Sequence, residues 1–316
     1  MNRMDDQVKN LPKIGVIGLG MMGKGLATHA LRAGYTARLL IRNQIGRERC
    51  AGIIADGAAV FASSREVAQG ADIVVICATG SSQVEEIVFG AEGVLGSLKP
   101  GTVVIDCSTS LPASSRKIAA AIADAGGHFL DAAMTGTPKE ANEGAVNLLI
   151  GGSRDVLETV REFLASFSKN VYYCGDTGAG HTIKLLHQFV VLGNAAILAE
   201  AFSCAKNAEV DLETLCDVIG SGGANSTAFQ RFKPFVLEGK DDGFQFSLSN
   251  ALKDMDYYTR TALDSRSVAP IAGAVLASYT VACNQGAGSA FVPNLLGIVD
   301  GLNGVHQNAS SWLAAE

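Results

Sequence analysis

A lysine behind a cluster of glycines is the residue of this chain whose type and position most suggest chemistry. Gly175, Gly178 and Gly180 give the backbone wide conformational freedom, and a run of apolar residues with helical periodicity then extends to Phe202. This switch predicts a tight turn that feeds a helix. Lys184 falls in the first turn of that helix, where the helix dipole repels an ammonium and lowers its pKa. Such a lysine suits proton transfer near neutral pH; the alternative is an ordinary lysine whose stem covers apolar surface.

The same helix places polar side chains on the face of the lysine. His187 and Gln188 follow it at i+3 and i+4, the spacing of neighbours on one side of a helix. A lone histidine on a helix is commonly structural, so both a structural and a functional role stay open for His187. His181, in the glycine turn, is interpreted as a helix cap. The isolated His128 and His306 have no metal-ligand spacing, and we predict no metal site.

A second glycine pattern predicts a dinucleotide site. Lys13 to Ile17 is typical of a short buried strand, and a GxGxxG sequence follows it directly and precedes a helix. The first glycine permits a tight turn, the second lets the backbone approach a pyrophosphate, and free N–H groups at the helix start bind phosphate. The alternative is a glycine-rich turn without a ligand. The predicted cofactor contacts in this turn are Gly18, Leu19, Gly20, Met21 and Met22.

The end of the next predicted strand, Thr36 to Ile41, should choose between the two nicotinamide cofactors. An acidic residue there would hold the ribose 2′-hydroxyl of NAD. This chain has Arg42-Asn43 instead, with Arg47 nearby and no acid before Glu48. A guanidinium favours a 2′-phosphate, so we predict that Arg42 and Asn43 bind NADP(H), with NAD(H) as a second cofactor. The alternative is that the arginines are solvated surface charges.

Strands and helices alternate as far as residue 175, which predicts a largely parallel, doubly wound sheet with helices on both faces. Ligands of such sheets bind beyond the carboxyl ends of the strands. The hydroxyl residues after three of these strands are therefore candidates. Thr79, Ser108 and Thr109 are predicted to contact the cofactor. Thr135, Gly136 and Thr137 lie in a loop that is rich in hydroxyls and backbone donors.

Helical patterns without strands follow residue 175, so we predict a dinucleotide-binding Rossmann-like domain over 13–176 and an all-helical domain over 177–316. A length of 316 residues favours two domains.

The net charge of −6 argues against nucleic acid as a partner. Seven scattered cysteines indicate a reducing compartment, residues 1–12 are expected to form a frayed polar tail, and no membrane span or signal peptide is predicted. We therefore expect a cytoplasmic protein.

Four motifs make the chain resemble the β-hydroxyacid dehydrogenase family, which includes 3-hydroxyisobutyrate dehydrogenase and tartronate semialdehyde reductase. They are GVIGLGMMGKGLA at 15–27, IDCSTSLP at 105–112, FLDAAMTGTPKEANEGAVNLLIGG at 129–152 and GDTGAGHTIKLLHQ at 175–188. A weaker fifth motif is LKD at 252–254. The resemblance implies that Lys184 is the catalytic acid/base, that the loop 135–137 holds a substrate carboxylate, and that Lys253 lies near the nicotinamide. With it, the predicted substrate contacts are Ser108, Thr135, Gly136, Thr137, Lys184, His187 and Gln188. It also implies a long helix between the domains and a homodimer or homotetramer.

Two departures from the family pattern bear on the substrate. Thr135-Gly136-Thr137 stands where the family usually has Ser-Gly-Gly, and His187 stands where it tends to have Asn. We therefore expect a polyhydroxylated or semialdehyde acid, such as 2-hydroxy-3-oxopropionate, rather than a branched apolar acid.

The sequence thus predicts an NADP(H)-preferring oxidoreductase of a small 3-hydroxy acid or its semialdehyde. An imine reductase is the alternative among enzymes, although such enzymes usually lack the lysine. A dinucleotide-binding sensor without turnover is the alternative from another class.

Overall fold

Short apolar strands alternating with helices build one eight-stranded sheet in the first part of the chain. The computed structural model of the protein describes residues 11–305, so most of the predicted polar tail, His306 and the end of the predicted helical domain lie outside the described residues. The strand order is β3-β2-β1-β4-β5-β6-β7-β8, and every neighbouring pair is parallel except β6 and β7. The strands are β1 (Lys13–Ile17), β2 (Thr36–Leu40), β3 (Ala59–Phe61), β4 (Ile73–Ile76), β5 (Val103–Asp106), β6 (His128–Thr135), β7 (Val146–Gly152) and β8 (Ser168–Gly175).

Helices cover both faces of the sheet, because its central strands are apolar on both sides. Along β4, Ile73 and Val75 join the core on one face, while Val74 and Ile76 join the core on the other. Continuous burial of this kind is what a parallel sheet between two helical layers requires. The helices of this region are α1 (Met21–Arg32), α2 (Gln44–Arg49), α3 (Ala51–Ala55), α4 (Ser64–Gln69), α5 (Ser81–Phe89), α6 (Pro112–Asp124), α7 (Pro138–Glu143) and α8 (Arg154–Ala165).

Helices alone make up the described chain after β8, apart from an isolated bridge between Ser247 and Phe291. They enclose a separate apolar core that includes Phe202, Phe229 and Tyr279. The prediction of a doubly wound α/β region followed by an all-helical region is therefore confirmed. These helices are α9 (Ala179–Asn207), α10 (Leu212–Ser221), α11 (Thr227–Glu238), α12 (Leu248–Asp264), α13 (Pro270–Asn284) and α14 (Leu295–Leu302).

The chain separates into two compact units between Lys184 and Leu185, a point inside α9. The domain bounds of 13–176 and 177–316 stay a prediction. By length and composition alone, α9 is the one helix among residues 11–305 that could span a membrane, and half of its most apolar window is buried within the protein.

Two helix starts differ from what the sequence pattern suggests. Ser110 is of a type that commonly caps helices, but α6 begins at Pro112 without a side-chain cap, and the Ser110 hydroxyl donates to Asp106 instead. The loop after β6 contains a short helix, α7, that the sequence pattern did not predict.

Candidate functional site

The turn after β1 has the geometry that its glycines predicted. Gly18 has a φ of +98°, and a Cβ there would lie 2.2 Å from the carbonyl oxygen of Cys77. A Cβ on Gly23 would lie 2.0 Å from the carbonyl oxygen of Gly18. A Cβ on Gly20, by contrast, would meet no protein atom within 4 Å. Two of the glycines are thus required by the protein itself, while the middle one leaves open space beside the backbone.

The start of α1 suits a phosphate group. Gly20 is its N-cap and provides no side-chain hydrogen bond, and the first turn contains no acidic residue. Unpaired N–H groups at a helix start, together with the positive end of the helix dipole, bind anions. The chain reverses its direction across the sheet between β1 and β4, the point where doubly wound folds bind their ligands. These residues fit the pyrophosphate of a nicotinamide dinucleotide.

The end of β2 presents basic and amide side chains. Arg42 is exposed, as the prediction of a 2′-phosphate contact requires. Asn43 is the N-cap of α2, and its side-chain oxygen accepts from the backbone N–H of Gly46 at 2.8 Å. Asn43 therefore has a structural role, and its amide nitrogen stays available to a ligand.

Ser108 is buried and connects the loops that follow β4 and β5. Its hydroxyl accepts from the backbone N–H of Ala78 at 2.9 Å, and its own N–H donates to Asp106 at 2.9 Å. Thr79, in the first of these loops, is exposed, and Thr109, in the second, is half-buried. The two threonines are thus the more accessible of the predicted cofactor contacts, and Ser108 holds the loops together.

A buried carboxylate holds the start of α9. Asp131, on β6, accepts from the backbone N–H groups of Gly178 at 2.6 Å and His181 at 2.9 Å. Gly180 packs so closely on β7 that a Cβ there would lie 2.2 Å from the carbonyl oxygen of Leu149. The glycine turn therefore serves to seat the helix against the sheet.

Lys184 is the sixth residue of α9, which places it in the second turn and not in the first. The expectation from its position was wrong in this respect, and the effect of a helix dipole fades within the first turn. The start of the helix is also met by the Asp131 carboxylate. The distinctive property of Lys184 is its burial, since only 9% of the residue is exposed.

His181 lies in a buried polar cluster and does not cap the helix with its side chain. Its Nε2 is 3.1 Å from the carbonyl oxygen of Ser108, and its Nδ1 is 2.7 Å from the hydroxyl of Ser115. The Asp106 carboxylate lies 3.8 Å from Nε2. Sequence reasoning missed the roles of Asp106 and Asp131, although each stands in an apolar strand, where a buried acid is unusual.

The loop after β6 is a helix cap as well as a candidate substrate loop. Thr137 is the N-cap of α7 in a capping box with Glu140, and its backbone N–H donates to the Glu140 carboxylate at 2.7 Å. The Thr137 hydroxyl also contacts that carboxylate. Thr135 accepts from Asn147 at 3.1 Å, so its hydroxyl hydrogen stays available to a ligand. Gly136 has a φ of +124° and is exposed.

In the helical unit, four predicted or neighbouring residues form one hydrogen-bonded chain. Gln188 donates to the Asp254 carboxylate at 2.7 Å, and its side-chain oxygen lies 3.3 Å from Nδ1 of His187. Lys253 pairs with the same carboxylate at 2.8 Å. Asp254 is only 1% exposed, so the carboxylate of this ion pair is buried. Asp254, which sequence reasoning passed over, fixes Gln188 and Lys253.

The thiols near the dinucleotide turn are held protonated. Burial, with a smaller contribution from the Asp106 carboxylate, raises the pKa of Cys77 to about 12. Burial also raises the pKa of Cys107 well above its ordinary value. Among residues 11–305, no three His, Cys, Asp or Glu side chains are grouped as a metal site would need.

The fold and the glycine turn define a dinucleotide-binding oxidoreductase of the doubly wound α/β class. The profile for the NAD binding domain of 6-phosphogluconate dehydrogenase matches residues 13–175. The profile described as NAD-binding of NADP-dependent 3-hydroxyisobutyrate dehydrogenase matches residues 178–295. The chain belongs to the β-hydroxyacid dehydrogenase family, and it is an NAD(P)-binding oxidoreductase.

Relatives of known activity match most of the chain. The 2-(hydroxymethyl)glutarate dehydrogenase of Eubacterium barkeri is 32% identical over 77% of this chain and 80% of its own length. The L-threonate dehydrogenase of Escherichia coli strain K12 is 31% identical over 87% of this chain and 90% of its own length. The crystal structure of 3-hydroxyisobutyrate dehydrogenase from Salmonella typhimurium has a TM-score of 0.80 and 32% identity, and covers 90% of this chain and 99% of the other.

Proposed function

We propose that the protein catalyses the reversible oxidation of a small 3-hydroxy acid to its semialdehyde or oxo acid, with NADP(H) preferred and Lys184 as the general acid/base. The observation that carries this proposal is a buried lysine on a helix whose start is hydrogen-bonded to the sheet through Asp131. A lysine that is taken out of water and held in place suits proton transfer.

Lys184 would hold or move one proton in each direction. In reduction, its ammonium donates a proton to the oxygen of the aldehyde or ketone; in oxidation, its neutral amine accepts the proton of the hydroxyl group. A nicotinamide bound at the glycine turn supplies or accepts the hydride. Gly18 to Met22 would hold its pyrophosphate, and the predicted contacts of Thr79, Thr109 and Lys253 with the cofactor stay part of this proposal.

The cofactor preference rests on the end of β2. Arg42 is exposed there, and a guanidinium matches a phosphate by charge and geometry. The nearest acidic residue along the chain, Glu48, accepts a hydrogen bond from Gln44 at 3.1 Å on α2. This arrangement supports NADP(H) over NAD(H).

The substrate proposed is a hydroxylated or semialdehyde carboxylate such as 2-hydroxy-3-oxopropionate. The three relatives above are named for carboxylates, which supports an acid. Thr135 has a hydroxyl hydrogen to donate, and His187 is exposed and tied to Gln188. A substrate with additional hydroxyl groups would offer both side chains a hydrogen-bond partner.

The proposed assembly is a homodimer or homotetramer in the cytoplasm, without nucleic acid or membrane as a partner. One face of α9 is apolar and exposed in the single chain, with Val190 60% and Ile197 61% exposed. Leu186 and Cys204 share this exposure. A second copy of the chain would bury this face, whose residues recur at intervals of four and seven residues, as on one stripe of a helix.

An imine reductase is the alternative. Imine reductases of Myxococcus stipitatus share the fold at 20% identity, a likeness that concerns the fold alone. The decisive experiment follows the NADPH absorbance with a panel of short semialdehydes, hydroxy acids and cyclic imines. We expect turnover with the acids and none with the imines; the reverse would establish the alternative. Cofactor binding without turnover on the whole panel would favour a sensor.

A further inference from the structure

His181 is a fully buried imidazole that the proposed proton transfer does not use. Its Nε2 faces the carbonyl oxygen of Ser108 at 3.1 Å, and its Nδ1 faces the Ser115 hydroxyl at 2.7 Å. A carbonyl oxygen only accepts hydrogen bonds, so Nε2 must carry a hydrogen and donate it. The imidazole therefore connects the first turn of α9 to the backbone of the loop that follows β5.

Ser108 links His181 to further segments by hydrogen bonds. Its hydroxyl accepts from the N–H of Ala78, and its N–H donates to the buried Asp106 carboxylate, which also accepts from Ser110. His181 is thus hydrogen-bonded directly to the loop after β5 and, through Ser108, to the loop after β4. These are the loops that contain Thr79 and Thr109, the more accessible of the predicted cofactor contacts at this edge.

The connection does not depend on the charge of the ring. A neutral His181 accepts at Nδ1 from the Ser115 hydroxyl. A protonated ring donates to Ser115 instead, and the serine hydrogen then faces the Leu111 carbonyl oxygen at 3.3 Å. The Asp106 carboxylate lies 3.8 Å from Nε2. In both states Nε2 donates to Ser108.

We propose that His181 is a positioning residue for the dinucleotide site. Its bond to the Ser108 carbonyl holds the loop 107–111 in place, and the same bond joins that loop to the helix on which Lys184 stands. The part that concerns Lys184 rests on the proposed function; the part that concerns the loop does not.

Three variants distinguish the effect of the hydrogen bond between His181 and Ser108 from the effect of a buried side chain at position 181. In His181→Gln, the amide nitrogen reaches as far as Nε2 and keeps a donor for Ser108. In His181→Asn, the shorter side chain can keep only the partner at the Nδ1 position, Ser115. Ser115→Ala is the matched control, since it removes the Nδ1 partner and leaves the Ser108 bond intact.

The first readout is amide hydrogen exchange of the protein without any ligand. We expect exchange in segments 78–80 and 107–111 to quicken about tenfold in His181→Asn, the effect of losing one buried hydrogen bond. Segment 36–40 on β2 should not change, and neither His181→Gln nor Ser115→Ala should change any of the three segments. Equal exchange in His181→Asn and His181→Gln would overturn the proposal.

The second readout is the Kd of NADPH, measured by fluorescence without substrate. His181→Asn should weaken binding about five- to tenfold, the range of one hydrogen bond, while His181→Gln stays within about twofold of the wild type. If His181→Asn does not fold, His181→Gln and Ser115→Ala test the proposal by themselves. Both keep the hydrogen bond to Ser108, so fast exchange of 107–111 in either variant would refute the role of that bond. Neither readout needs turnover, so failure of the proposed reaction would leave both intact.

Discussion

Lys184 is the side chain on which the proposed chemistry depends, and Lys184→Met is the sharpest test of it. Methionine keeps the buried stem and removes the ammonium, so packing is preserved. We expect kcat to fall about 10²–10⁴-fold, the usual contribution of a general acid/base, with the Kd of NADPH nearly unchanged. Lys169→Met, at an exposed position on β8, is the control. A variant that kept more than about a tenth of wild-type kcat would show that another group transfers the proton.

A substitution of Arg42 tests the proposed preference for NADP(H) over NAD(H). Arg42→Ala should raise KM for NADPH about ten- to a hundredfold, because a charge-assisted contact to a phosphate is lost. KM for NADH should change little, since NADH has no 2′-phosphate. Arg49→Ala removes an equally exposed charge from α2 and should affect both cofactors slightly. A wild-type enzyme that preferred NADH would contradict the assignment.

At the scale of the element, Thr137 is tested for its contribution to the stability of the short helix α7. Because Thr137 caps α7, Thr137→Ala should lower the free energy of unfolding by about 0.5–2 kcal/mol. Thr137→Ser keeps the capping oxygen and should stay close to the wild type. Urea denaturation measures both. Equal stability of all three proteins would mean that the capping box contributes nothing.

The same pair of variants tests the substrate contact. The ratio of kcat/KM for a hydroxylated acid to that for its deoxy analogue should fall in Thr137→Ala and persist in Thr137→Ser. A ratio that is unchanged in Thr137→Ala would assign Thr137 to the cap alone.

For the whole molecule, the buried thiols predict a loss of stability at alkaline pH. The folded pKa of Cys77 is raised from 9.0 to about 12 by burial and by Asp106, so folding favours the protonated thiol. This stability is complete below about pH 9 and is lost as the pH rises through about 12, at up to about 1.4 kcal/mol per pH unit. Cys77→Ala should unfold with a shallower pH dependence between these limits. Cys204→Ala, at an exposed cysteine, should match the wild type.

The exposed face of α9 predicts the behaviour of the molecule in solution. Replacing both Val190 and Ile197 with Glu should yield a monomer by light scattering, because two buried charges would oppose the proposed contact. Leu263→Glu, at a residue of α12 that is 76% exposed, is the control and should keep the wild-type mass. A wild-type protein that was already a monomer would refute the proposed assembly.

The amino-acid sequence by itself determined the class of fold and the dinucleotide turn. Strand and helix periodicity are local properties, and Gly18 to Gly23 form one continuous segment, so neither needs information about distant residues. The sequence predicted the glycine turn before Lys184 and the helix after it for the same reason. The position of Lys184 within that helix was misjudged by one turn, since glycines before a helix do not mark its first residue.

Only the tertiary structure decided which distant residues hold the predicted site residues of each unit. Asp131 meets the start of α9 from β6, 47 residues earlier along the chain than Gly178, and Asp254 meets Gln188 across 66 residues. His181 reaches Ser108 across 73 residues. Hydrogen bonds between segments so far apart leave no periodic trace in the sequence, because each partner alone is compatible with a solvated polar residue. Burial removes that alternative, and burial is a property of the folded chain.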